Sequence, residues 1–147
     1  MTMHNVGPRI SSSDVLVVEA IVGVEFPDSY RRFLLRTNGG TPTPDTIDVP
    51  GLAGSPTDVQ VFFGVGRSII SDNLVWNFDL LRERCTRFRA LPIACDSGGN
   101  LFCLNLERER AVPSVFYCDL DSPDCADFHV AASFEEFVER LRRFDEN

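Results

Sequence analysis

The segment of residues 26–40, which reads FPDSYRRFLLRTNGG, constrains the fold most, because it encodes a short helix together with both of its ends. Phe26 precedes a proline and is pushed towards an extended backbone, while Pro27 suits the first position of a helix. Four residues then recur at i, i+3, i+4 and i+7 and predict one buried stripe: Tyr30, Phe33, Leu34 and Thr37. Residues 38–40, Asn-Gly-Gly, end the helix because they tolerate the left-handed conformation. The segment is predicted to have a structural role, because none of its residues is chemically reactive.

Caps and apolar spacing predict three further helices. The first covers residues 14–22, after the capping-box pair Ser11 and Asp14, although its β-branched run VLVV is also compatible with a strand. The third follows a cap at residue 71 or 72 and buries Leu74, Phe78 and Leu81. The last is capped by Ser133. Its expected inward-facing residues are Phe134, Phe137, Val138 and Leu141, with Phe144 as a further candidate.

Strands are predicted over residues 59–65, 91–95, 100–106, 114–118 and 128–131. Residues 96–99 form a turn of hairpin length between two of them, and residues 107–113 are a polar turn. Helices, then strands, then a helix indicate an α+β fold with a mainly antiparallel sheet. The chain of 147 residues has the length of a single domain, with residues 1–10 as a flexible lead-in.

The charge of the chain limits its partners. The formal net charge is −8, which argues against direct binding of nucleic acid or of an anionic membrane. It favours a basic partner through electrostatic steering, although solubility alone explains such a charge equally well. All basic residues are arginine, so lysine Schiff bases and lysine-containing phosphate loops are excluded.

The five cysteines are at positions 85, 95, 103, 118 and 125. Their number is odd, no CxxC pair occurs, and residues 1–13 lack the charged and apolar regions of a secretory leader. We therefore expect a cytoplasmic protein with five reduced thiols, no metal and no cofactor. A zinc site from Cys118, Cys125 and His129 lacks the usual ligand spacing. A cysteine hydrolase is equally disfavoured, because no nucleophile signature accompanies His4 or His129.

Two features suggest a surface for a protein partner. Four carboxylates without an internal cation fall within nine residues: Asp119, Asp121, Asp124 and Asp127. A solvated loop is the alternative interpretation of this cluster. Trp76 lies off the buried stripe of the third helix, and partial burial in the core is as compatible with its position as a role in an interface. On the same helix, Glu83 and Arg87 have the spacing of an ion pair.

Three blocks of the sequence resemble the SUKH superfamily of SMI/KNR-like domains. The first is Gly23 followed by residues 26–34 and 38–40, with Phe26 where the family usually has leucine. The second is the run LPIACDSGGN of residues 91–100, and the third is SFEEF, residues 133–137. The blocks occur in family order. The resemblance implies a SUKH-like domain, and members of this family are mostly bacterial immunity proteins that neutralise toxins, many of them nucleases.

The sequence and the resemblance together predict a binding protein and not an enzyme. The predicted partner is a basic toxin domain, and the chain is expected to be a monomer or weak dimer. The predicted partner-binding residues are Asp119, Asp121, Asp124, Asp127 and Trp76. The alternative is an intracellular scaffold or regulatory domain without a toxin partner, since other members of the superfamily act in that way.

Overall fold

The structure is a computed structural model that describes residues 1–107 and 112–145. Its α-helices are α1 (Ser12–Val22), α2 (Asp28–Thr37), α3 (Leu74–Arg84) and α4 (Phe134–Glu139). Its strands are β1 (Thr2–His4), β2 (Thr41–Thr43), β3 (Thr46–Ile47), β4 (Thr57–Asp58), β5 (Val61–Phe62), β6 (Ala90–Cys95), β7 (Leu101–Asn105), β8 (Val115–Asp119) and β9 (Ala126–Ala131). None of the described helices is both long and apolar enough to cross a membrane.

The main sheet has five strands in the order β5-β6-β7-β8-β9, and every neighbouring pair is antiparallel. Two short antiparallel ladders, β1–β2 and β3–β4, lie outside it. The prediction of an α+β fold with a mainly antiparallel sheet is therefore confirmed.

Both faces of the five-stranded sheet are covered, as the contacts of two neighbouring side chains in β8 show. Phe116 and Tyr117 are consecutive in a strand, so their side chains point to opposite faces. The Tyr117 ring contacts Phe102 of β7, which contacts Phe137 of α4. The Phe116 ring contacts Phe88, just beyond α3. One face therefore packs against α4, and the other packs against the carboxyl end of α3.

The helix that the sequence predicts most strongly has the predicted buried face, because Tyr30, Phe33, Leu34 and Thr37 are all buried. Asn38 then takes a left-handed backbone with φ 49°. A Cβ atom on Gly39 would lie 2.6 Å from the carbonyl oxygen of Phe62, too close for any side chain. The Asn-Gly-Gly sequence therefore serves both to end α2 and to let β5 approach it.

Several element boundaries differ from the prediction. Part of the predicted lead-in lies in a strand, because Thr2–His4 form β1 and pair with Thr41–Thr43. The strand predicted over residues 59–65 is reduced to β5, two residues long. Phe144 is 78% exposed because α4 already ends at Glu139, so it does not belong to the core. Residues 108–111 of the predicted polar turn lie outside the described residues.

The prediction of five reduced thiols is wrong for this structure. Cys85, at the end of α3, is bonded to Cys125, which is 40 residues away in sequence. The other three cysteines, at positions 95, 103 and 118, are free. An odd number of cysteines does not argue against a disulfide, since one disulfide among five cysteines still leaves an odd number of free thiols.

We expect three titratable thiols in protein denatured without reductant, and five after reduction. The measurement is titration with a thiol-specific chromophore, before and after treatment with a phosphine. Five thiols before reduction would contradict the bond between Cys85 and Cys125.

Candidate partner-binding surface

The acidic loop, defined here as residues 119–127, runs from the end of β8 to the start of β9. It carries all four predicted aspartates. Asp121, Asp124 and Asp127 are exposed, and Asp119 is half-buried. The loop therefore presents its carboxylates to solvent from the edge of the sheet, since β9 is an outer strand.

Two arginines, Arg84 at the end of α3 and Arg87 just beyond it, attach the acidic loop to this end of the helix. Arg84 donates from Nη2 to the carbonyl oxygen of Leu120 at 2.8 Å. Arg87 donates from Nε to the carbonyl oxygen of Asp124 at 3.2 Å and from Nη2 to that of Cys125 at 2.9 Å. The disulfide adds a covalent link at Cys125. The backbone of the loop is therefore held by contacts along its length.

Arg87 also changes the charge of the loop. Its Nη2 lies 3.0 Å from Oδ1 of Asp127, so the expectation of four carboxylates without a cation is wrong at this position. The predicted pair of Arg87 with Glu83 does not form among the described contacts, because α3 ends at Arg84 and the helical spacing is lost. Within the described residues, no ion pair involves Asp119, Asp121 or Asp124. These three carboxylates supply the uncompensated charge.

The hairpin between β6 and β7 supports the same loop through a buried carboxylate. Asp96 is 4% exposed and accepts hydrogen bonds from Tyr117 Oη at 2.6 Å, Thr57 Oγ1 at 2.9 Å and the backbone N–H of Asn100 at 2.9 Å. Oδ1 of Asn100 in turn accepts from the N–H of Leu120 at 2.9 Å. The turn sequence Asp-Ser-Gly-Gly-Asn thus links β4, β8 and the acidic loop.

The sequence predicts only a turn over residues 96–99 and does not indicate this role. Burial, followed by the hydrogen bond to the Asp96 carboxylate, raises the pKa of Tyr117 well above its usual value. The hydroxyl therefore stays protonated and remains a donor. A polar pair so far apart in sequence has no local signature, and only the Asp-x-Gly-Gly-Asn resemblance pointed to this segment.

Trp76 lies in the first turn of α3 and is 39% exposed, so it is not a core residue. Asp79 and Glu83 are also exposed and follow it at i+3 and i+7, which places all three on one face of the helix. Trp76 and Arg84 are about 12 Å apart along the helix axis. The structure therefore does not bring Trp76 and the acidic loop together, but the exposed face of α3 connects them.

The described cysteines and histidines do not form a nucleophilic pair. Burial raises the pKa of the Cys118 thiol to about 11, whereas a catalytic cysteine needs a lowered pKa. His129 and His4 are exposed, on β9 and β1 respectively. The arrangement favours surface recognition over cysteine catalysis.

Comparison with known proteins agrees with this architecture. Residues 9–140 match the family model of the SMI1 / KNR4 family (SUKH-1), so the chain belongs to that family. It is similar to the SPbeta prophage-derived uncharacterized protein YokK of Bacillus subtilis (strain 168). The two are 28% identical over 149 aligned positions, which span 89% of this chain and 74% of that protein.

Proposed function

We propose that this protein is an immunity protein that binds a cognate basic toxin domain, for example a nuclease, and blocks its active cleft. Family membership supports this function, because SUKH proteins are often toxin-immunity proteins. The observation that carries the binding mode is the acidic loop, whose exposed carboxylates stand on a backbone fixed by Arg84, Arg87 and Asn100. The proposed activity is binding, with no catalytic step.

The proposed mechanism is occlusion by charge mimicry. A toxin that cleaves a phosphodiester needs a basic cleft for its polyanionic substrate. Asp119, Asp121 and Asp124 would occupy the positions of substrate phosphates in that cleft. Because their backbone is already held in place, binding orders few additional groups. Trp76 would contact the toxin at the other end of α3, as an aromatic anchor.

We expect neutralisation of the loop to slow association with the toxin. Changing Asp119, Asp121, Asp124 and Asp127 to Asn keeps each hydrogen-bond acceptor, including the one that Asp119 offers to the N–H of Asp121 at 3.0 Å. The association rate constant at low salt should fall by about tenfold or more, and its salt dependence should flatten. Stopped-flow binding at two ionic strengths measures both effects.

A matched variant separates local charge from total charge. Glu25, Asp45, Glu135 and Glu139 are exposed and lie outside the acidic loop, and changing them to the corresponding amides alters the net charge by the same amount. This control should associate nearly as fast as wild type. Equal association rates for wild type and the loop variant would show that the toxin binds elsewhere. Equal slowing in both variants would show that only total charge matters.

A further inference from the structure

Three cysteines from different parts of the fold meet at one buried point. Cys85 follows α3, Cys118 lies in β8 and Cys125 lies in the acidic loop. The sulfur atoms of Cys85, Cys118 and Cys125 all lie within 4.8 Å of one another, and all three residues are buried. Two of them form the disulfide, and Cys118 is free. A disulfide needs two cysteines, so the third sulfur is not explained by the crosslink.

This arrangement has the dimensions of a metal–thiolate site. Zinc binds thiolate sulfur at about 2.3 Å in a tetrahedral geometry, so neighbouring sulfurs are about 3.8 Å apart. The Cα atoms of Cys85 and Cys125 are 6.0 Å apart, and small rotations of the side chains can open their sulfurs to that spacing. Sulfur ligands select soft or borderline cations and exclude Mg²⁺ and Ca²⁺.

We propose that, once the bond between Cys85 and Cys125 is reduced, the thiolates of Cys85, Cys118 and Cys125 bind one Zn²⁺ ion. Zn²⁺ displaces the three thiol protons and leaves a single net negative charge. The Arg87 guanidinium, which donates to the carbonyl oxygen of Cys125 at 2.9 Å, is placed to offset that charge. A monovalent cation would leave a second buried negative charge, which is costly.

The fourth position of the zinc ion is left for a neutral ligand. Asp127 is the register partner of Cys118 across the β8–β9 ladder, but its carboxylate is paired with Arg87 and would add a second negative charge, so a water molecule completes the tetrahedron. The site differs from the zinc set that the sequence analysis disfavours, because Cys85 takes the place of His129, which is exposed. Zinc and the disulfide are mutually exclusive, and either one attaches the acidic loop to α3.

The test begins with full reduction by a phosphine. The disulfide gains two electrons and two protons, and the phosphorus takes an oxygen atom from water. After the phosphine is removed under anaerobic conditions, the protein is titrated with Zn²⁺ against a chromophoric chelator. We expect about one tightly bound equivalent for the reduced protein and none at this site for the disulfide form. Co²⁺ in place of zinc should give intense thiolate-to-cobalt charge-transfer absorption.

Serine variants assign the ligands. Cys118→Ser should weaken binding by about 100-fold or more, and so should Cys85→Ser, because each removes one of three thiolates. Cys95→Ser is the matched control, since Cys95 lies outside the cluster, and it should bind as wild type does. Circular dichroism confirms folding of each variant. The proposal is overturned if reduced wild type binds no zinc, if Cys118→Ser binds equally well, or if the cobalt spectrum lacks thiolate bands.

Discussion

Replacing Phe33 with alanine should destabilise the protein by about 3–5 kcal/mol. The side chain is 2% exposed, and its ring centroid lies 4.9 Å from that of Phe62 and 5.2 Å from that of Phe134. It therefore joins α2 to β5 and α4, and truncation leaves a cavity among rigid rings that cannot easily collapse. A domain of this kind has about 5–15 kcal/mol of stability in total, so the loss is a large fraction. Urea denaturation measures it.

Phe144→Ala is the matched control for this prediction. Phe144 is 78% exposed, so the same chemical change should cost less than about 0.5 kcal/mol. A denaturation midpoint for Phe33→Ala close to that of wild type would mean that the α2 stripe faces solvent and that Phe33 is not a core residue.

Asp96→Ala should cost about 3 kcal/mol or more, because it leaves several buried donors without their acceptor. The donors are Tyr117 Oη, Thr57 Oγ1 and the N–H of Asn100. The loss should extend to the acidic loop, since Asn100 accepts from Leu120. Denaturant unfolding gives the stability, and hydrogen exchange at the amide of Leu120 reports the loop.

Two milder variants show how the loss of stability depends on the number of hydrogen bonds removed. Asp96→Asn retains one acceptor oxygen, and Tyr117→Phe removes one donor, so each should cost less than Asp96→Ala. If the free energy of unfolding of Asp96→Ala lies within about 1 kcal/mol of that of wild type, the hydrogen-bond network contributes little to stability. The acidic loop would then be held by Arg84 and Arg87 alone.

The parts of the fold that were predictable are those with local signals. The stripe from Tyr30 to Thr37 and the stop at residues 38–40 each depend on neighbours in sequence, and both are present. The capping box of Ser11 and Asp14 is also present. The short length of β5 and the pairing of β1 with β2 were not predictable, because the strands that pair with them lie far along the chain.

The residues of the candidate surface were predictable from the sequence, but the long-range contacts that hold them in place were not. The four aspartates are a local cluster that the sequence displays directly. The disulfide, the Arg87–Asp127 pair and the Asp96–Tyr117 bond join residues 40, 40 and 21 positions apart, so only the folded chain reveals them. The side chain of Trp76 is exposed, so it is not buried in the core. Its contact with a partner stays a prediction.

The proposed neutralisation of a toxin by binding is tested most directly by co-expression with the product of the neighbouring reading frame, with growth and complex formation followed together. We expect that the neighbouring gene product alone arrests growth, that this chain restores it, and that the two purify as a complex which the loop variant weakens. A toxic neighbour that this chain neither binds nor neutralises would rule out the proposed function, and so would a stable complex that leaves toxicity unchanged.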